Sequence, residues 1–312
     1  MNPPLLIIAG PTGVGKTATA VALARRMAIE VVSADSRQVY HGMDVATGKP
    51  SAEERRAVPH HLIDVVEPDD RYHAARFRRD ATEAIAAIRA RGRLPVVVGG
   101  TGLYIRALLR GLDPAPPADP EFRRELDAVA ATHGRAALHQ RLSEQAPEVA
   151  RRLHPNDHVR VVRALELVRA GSPAGAARVR WQDAGGEFRA LYVGLTADRS
   201  TLARRVRERA RAMAAAGLAD EVRRLLADGH DPALPAMRGI GYREFVGVVR
   251  GRLGEAEAVR AMERATAEYA RRQLTWFRQE PHVRWIDVDQ AGGPDGAARM
   301  IEAMAKEEGL IE

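Results

Sequence analysis

The 312-residue chain has no cysteine, which excludes disulfides and thiolate metal sites. No apolar run reaches the roughly 18 residues that a membrane-spanning helix needs. The first residues also lack the charged segment, apolar stretch and cleavage site of a secretory leader. These absences predict a soluble cytoplasmic protein with no membrane partner. Lysine is scarce too, standing only at Lys16, Lys49 and Lys306, yet arginine raises the Lys+Arg total to 48 against 41 Asp+Glu, a net charge of +7. That excess favours a polyanionic partner, although an arginine-rich genome would leave the same bias.

What is present begins at "GPTGVGKT", which follows the apolar run Leu5 to Ala9. Gly10, Pro11, Thr12, Gly13, Val14, Gly15, Lys16 and Thr17 complete the G-x-x-x-x-G-K-T spacing where a buried strand hands over to a helix. The glycines let successive amides and the helix N-terminus turn toward one anion. Lys16 adds a positive charge, and Thr17 can place its hydroxyl on a magnesium ion that bridges phosphate oxygens. The competing reading is an ordinary glycine-rich turn. The loop by itself identifies a phosphate chain and not what that chain is attached to.

Apolar runs at Leu5 to Ala9, Ile29 to Ser33 and Leu94 to Val98 alternate with helical patterns such as Phe77 to Arg91. This predicts an α/β fold, a parallel sheet of the P-loop NTPase kind flanked by helices. "GLDPAPPADP", Gly111 to Pro120, continues neither helix nor central strand and marks a boundary. Helical patterns at Glu121 to Ala131, Arg135 to Glu144, Pro147 to Arg152 and His158 to Arg169 follow, closed by "AGSPAGAA". Residues 113–187 are therefore expected to form an all-helical insertion within a core made of 1–112 and 188–312. Phe188 to Leu195 and Val283 to Val288 read as returning strands, with helices at Arg199 to Ala216, Ala219 to Ala227 and Ala256 to Arg278.

Ligands of such sheets gather beyond the carboxyl ends of the strands. Asp35 falls there, after the strand ending near Ser33, as either the cap of a helix starting at Ser36 or a general base. Thr101 follows Gly99 and Gly100 after Val98, as either a helix cap or a hydroxyl that orients an acceptor. A strand that ends in Gly-Gly-Thr rather than an acid argues against an ATPase, and no Asn-Lys-x-Asp stretch selects guanine. On one helix, Arg205 and Arg209 lie four apart, either on a solvated face or aimed at phosphate oxygens. "YARRQLTWFR", Tyr269 to Arg278, interleaves arginines with Trp276 and Phe277, a pattern suited to RNA or to packing on the core.

Taken in order, "GPTGVGKT", "DSRQVYHGMDVATGKP", "PHHLID", "VVVGGTGLYIRALL", "DPEFR", "HPNDHVRVVRALE", "MRGIGYREF" and "YARRQLTWFR" span nearly the whole chain. They resemble the tRNA dimethylallyltransferase (tRNA isopentenyltransferase) family, in its compact bacterial form without a zinc finger. The resemblance implies that the loop holds the pyrophosphate of dimethylallyl diphosphate and that the allyl group passes to the exocyclic amine of the adenine just 3′ of a tRNA anticodon. It assigns Asp35 as general base and Thr101 beside the acceptor, with Lys16, loop amides and Arg205 on the diphosphate, aided by magnesium on Thr17; Arg209 is expected on the diphosphate from its spacing to Arg205. The tRNA contacts it implies are Thr101; Asp35, Ser36, Arg37 and Gln38; Arg123; and Val159, Arg160, Val161, Val162 and Arg163. Two further segments complete them: Arg238, Gly239, Ile240, Gly241, Tyr242 and Arg243; and Arg271, Arg272, Gln273, Leu274, Thr275, Trp276, Phe277 and Arg278. The insertion would lie against the anticodon stem-loop, and the enzyme would act as a monomer. "DVATGKP" and Ala267 depart from the family's usual pattern, which unsettles assignments near Thr47 and removes one basic contact. Two other readings remain open on the sequence: a P-loop small-molecule or nucleotide kinase, and an RNA-binding protein without catalysis.

Overall fold

A computed structural model describes residues 2–112, 116–172 and 187–311. The strands are β1 (Pro4–Ala9), β2 (Ile29–Ser33), β3 (His60–His61), β4 (Leu94–Gly99), β5 (Arg189–Thr196) and β6 (Arg284–Asp287). They form one parallel sheet in the order β3-β2-β4-β1-β5-β6. The apolar runs are continuous because both faces of the sheet are covered. Leu5 and Ile7 enter one core with Phe77, Tyr104, Tyr242 and Phe277, while Leu6 and Ile8 enter the other with Leu23, Val96, Leu195 and Ile301.

The helices of this part are α1 (Lys16–Ala24), α2 (Ala52–Ala57), α3 (Ala74–Ala90) and α4 (Gly102–Arg110) before the insertion. The insertion contributes α5 (Pro120–His133), α6 (Arg135–Gln145), α7 (Pro147–Ala150) and α8 (His158–Arg169). After it come α9 (Arg199–Ala215), α10 (Leu218–Ala227), α11 (Tyr242–Val249), α12 (Glu255–Arg278) and α13 (Gly293–Glu307). Four of these elements were absent from the sequence reading. β3 is two residues long, α2 is one turn and a half held by a capping box between Ser51 and Glu54, and α11 and α13 open on glycines that look like loop. The last strand is shorter than Val283 to Val288.

The chain divides into two compact units, residues 1–109 with 185–312, and residues 110–184. The second unit has its own core of Phe122, Leu126, Leu138, Leu142, Val161 and Leu165. Buried Glu166 ties it together, accepting from the Asp119 amide at 2.9 Å, from both ends of the Arg123 fork at 2.8 Å and from Arg163 at 3.1 Å. Of the expected boundary stretch Gly111 to Pro120, residues 113–115 lie outside the described residues, as does the "AGSPAGAA" linker from residue 173 onward.

Candidate active site

The phosphate loop runs from the end of β1 into α1. Gly10, Gly13 and Gly15 have φ of 149°, 80° and 101°, and a Cβ on Gly10 would stand 2.5 Å from the Leu195 carbonyl oxygen, so the bend requires glycine. Lys16 folds back over the loop and donates to the Gly10 and Pro11 carbonyls, each at 2.9 Å. Burial of the ammonium pushes its pKa down to about 8. Asp35 opposes that shift and Arg209 adds to it.

The side that carries Asp35 is built where β2 and β4 end together. The Ala34 amide donates to the Val98 carbonyl at 2.8 Å and the Thr101 amide to the Ala34 carbonyl at 3.1 Å. A Cβ on Gly99 would lie 2.1 Å from the Ala34 oxygen, so the two strand ends meet at backbone distance. Asp35 accepts from the Arg37 amide at 2.8 Å within a turn, in place of the helix cap expected at Ser36. The Thr101 hydroxyl accepts from the Ser36 amide at 3.0 Å and so holds the turn that carries Asp35.

Both sides open onto one cavity of about 670 Å³. Thr12, Gly13, Gly15, Lys16 and Thr17 line one part of it, and Asp35, Ser36, Arg37 and Gln38 another. Val206, Ala210, Met213, Ile240 and Met262 give it an apolar wall, and Tyr269 and Arg272 of α12 also line it. Burial, and secondarily the charge of Asp35, push the Tyr269 phenol up to about 12.

The two arginines that share a face of α9 part company. Arg209 lines the cavity and donates to the Gly48 carbonyl at 3.4 Å; burial lowers its pKa while the Asp35 charge supports its protonated form. Arg205 is not on the cavity wall and pairs instead with Asp289 after β6. Gly48 has no room for a Cβ because the Arg209 guanidinium occupies the space.

Burial corrects several expected RNA contacts. Tyr242 and Phe277 are at most 1% exposed in the sheet core, and Val161 and Val162 pack inside the helical unit, so none of these side chains can meet RNA. Arg123 and Arg163 are engaged by Glu166, and Arg163 also donates to the Pro116 carbonyl. Trp276 is pressed against Gly102 beneath the Arg106 guanidinium, 4.1 Å from its ring, so it is no open stacking platform. Leu274 packs against the core of the other sheet face. Gly239 and Gly241 shape the turn before α11, and the Gly241 amide donates to Glu244. Exposed members of the same segments are Val159, Arg160, Arg238, Arg243, Arg271, Arg272, Thr275 and Arg278. Of these, Arg238, Arg243 and Arg272 reach the cavity along with half-buried Ile240.

Gln273 is the residue whose role sequence reasoning missed. It lies buried on α12 in the stripe of Ala258, Met262, Ala270 and Phe277. Its amide accepts from the Thr12 amide at 2.9 Å and donates to the Gly100 carbonyl at 2.8 Å. A glutamine inside an apolar stripe was the available signal, since such a group is buried only when its bonds are made.

Residues 38–280 match the family model described as IPP transferase, and residues 3–64 match one described as isopentenyl transferase. The chain belongs to the IPP transferase family. Among its relatives, the tRNA dimethylallyltransferase of Desulforudis audaxviator is 46% identical over 307 residues, covering 98% of this chain and 99% of that one. The family protein of Anaeromyxobacter sp. (strain Fw109-5) is 51% identical over 282 residues, 90% of this chain and 94% of its own. Among solved structures of the family, the tRNA isopentenylpyrophosphate transferase of Bacillus halodurans aligns with TM-score 0.70 at 38% identity over 98% of both chains. A eukaryotic dimethylallyltransferase acting on tRNA aligns with TM-score 0.74 at 25% identity, over 91% of this chain and 74% of that one. Membership of this family favours prenyl transfer over the kinase reading.

Proposed function

We propose that this chain transfers the dimethylallyl group of dimethylallyl diphosphate to the exocyclic amine of the adenine 3′ of a tRNA anticodon, releasing diphosphate. The observation that carries this reading is the single cavity onto which the phosphate loop and Asp35 both open. The adenine nitrogen attacks the first carbon of the donor, the carbon–oxygen bond breaks with its electron pair leaving on diphosphate, and the amine proton passes to Asp35. The acid is needed because the lone pair of that amine is delocalised into the ring. Lys16, the loop amides and Arg209 face the leaving diphosphate, and donors of this kind are each worth roughly a hundred- to thousandfold in rate. Arg205 could join them only by leaving Asp289.

Among the described residues, no three His, Asp or Glu side chains gather into a metal cage. The Thr17 hydroxyl on the cavity wall nevertheless fits magnesium, which takes one or two protein oxygens and completes its shell with phosphate oxygens and water. Bound there, magnesium would neutralise charge on the diphosphate.

The adenine must leave its stack to enter the cavity, at a cost of a few kcal/mol that is smallest in a loop. Arg37, Arg238, Arg243 and Arg272 around the cavity, with Arg271 and Arg278 on the same helix as Arg272, would receive the surrounding phosphates. The helical unit would bind the anticodon stem-loop through exposed Arg160 and Val159. The protein would act in the cytoplasm as a monomer. The test is to incubate it with magnesium, radiolabelled dimethylallyl diphosphate and unmodified tRNA and to digest the product. Label on the adenosine 3′ of the anticodon is expected, and its absence there overturns the reading.

A further inference from the structure

The Gln273 side chain bonds the backbone of both the phosphate loop and the segment just after β4. Its carbonyl holds the amide of Thr12, at the tip of the loop that would carry the donor. Its amino group holds the carbonyl of Gly100, next to Thr101 and the turn bearing Asp35. The fit is close, because a Cβ on Gly100 would lie 2.2 Å from the Gln273 nitrogen. The side chain reaches both groups from a third element, α12, whose Ala270 and Phe277 are fixed in the two cores.

We propose that Gln273 is a positioning residue that sets the spacing between donor and acceptor. This rests on the prenyl-transfer reading above. An apolar side chain would leave a donor and an acceptor unpaired, and the loop tip at Thr12 would lose its tie to Gly100. Transfer depends steeply on approach, and a misplacement of about 1 Å can cost on the order of a hundredfold. The loss therefore belongs in kcat, because each half can still bind its own substrate.

Two variants test the claim. Gln273→Leu keeps the volume and removes both bonds, and kcat should fall about 10- to 100-fold with both KM values within threefold of the parent. Gln273→Glu can restore both bonds only when protonated, its hydroxyl donating to Gly100 and its carbonyl accepting from Thr12. Its turnover relative to the parent should therefore be higher at pH 6 than at pH 8, by no more than the factor that separates the parent from Gln273→Leu. The charged groups of the same cavity, Lys16, Asp35, Arg37, Glu54, Arg209, Arg238, Arg243, Glu268 and Arg272, are common to parent and variant, so the ratio isolates the introduced carboxyl. A kcat for Gln273→Leu within threefold of the parent, or a flat ratio for Gln273→Glu, overturns the proposal. Exchange of the Thr12 amide with solvent, measured without substrates, should quicken in Gln273→Leu, and unchanged exchange also counts against it. Slow exchange lost in the variant, in a parent that does not prenylate tRNA, would place the fault in the functional reading instead.

Discussion

The Lys16 ammonium and the Asp35 carboxylate face one cavity, and the carboxylate offsets part of what burial costs the ammonium. Lys16 is thus only half charged near pH 8 in the free protein, and a bound diphosphate would raise its pKa. Below pH 8 the affinity for inorganic diphosphate should be flat with respect to this group. Above it, binding must take up a proton, so affinity should fall by up to tenfold per pH unit until the pKa of the complex is reached. Calorimetric titration between pH 7 and pH 10 reads this directly. Lys16→Met should abolish that fall.

Asp35→Asn keeps the side chain's size and its acceptor for the Arg37 amide but cannot take a proton. Turnover should drop by about 100- to 10,000-fold while tRNA binding stays within a few-fold of the parent. Single-turnover prenylation beside filter binding separates the two, and unchanged turnover would remove Asp35 as the base.

Arg271 is exposed, and Arg272 makes a surface pair with Glu268 and lies over the Tyr269 ring, 6.0 Å from its centroid. Surface pairs of this kind contribute little, so both guanidiniums are free to turn toward phosphates. Replacing both with alanine should weaken tRNA binding and make the slope of log K against log salt shallower by roughly 1 to 2 units. A parental slope would assign them to a solvated face.

Glu30, inside β2, accepts from Arg91 and meets His61, with Arg93 at 3.6 Å. The Arg91 bond, followed by His61, outweighs the effect of burial and holds this carboxyl down at about 2. A lowered folded-state value means that its stabilisation is complete above the ordinary value of 4.5 and is lost as pH falls toward 2. Glu30→Gln should cost roughly 1–2 kcal/mol at pH 7, kept small by half-exposed guanidiniums. The gap from the parent should close between pH 4.5 and pH 2 in denaturant titrations.

β1, β2 and β4 were legible because their signals are local, five or six mostly apolar residues in a row, and the phosphate loop because its glycines and lysine stand at fixed spacing. Asp35 and Thr101 could be placed at strand ends by the same logic. What sequence could not show was the direction of side chains on long helices. Arg205 and Arg209 share a face by spacing, yet Asp289, which captures one of them, is 84 residues away. For Trp276 and Phe277 the choice between stacking on RNA and packing on the core stayed open, because neither the Arg106 guanidinium over the indole nor the core around Phe277 is written in their own segment. Short α2 and the glycine-led α11 and α13 lacked the length or composition on which periodicity depends.

Arg205 enters any encounter with a ligand already satisfied by Asp289. An outside anion that wants this guanidinium must win it from a resident carboxylate, and one carrying a single diffuse charge has little to offer beyond what it displaces. A densely charged anion such as diphosphate would meet that condition better than a singly charged one.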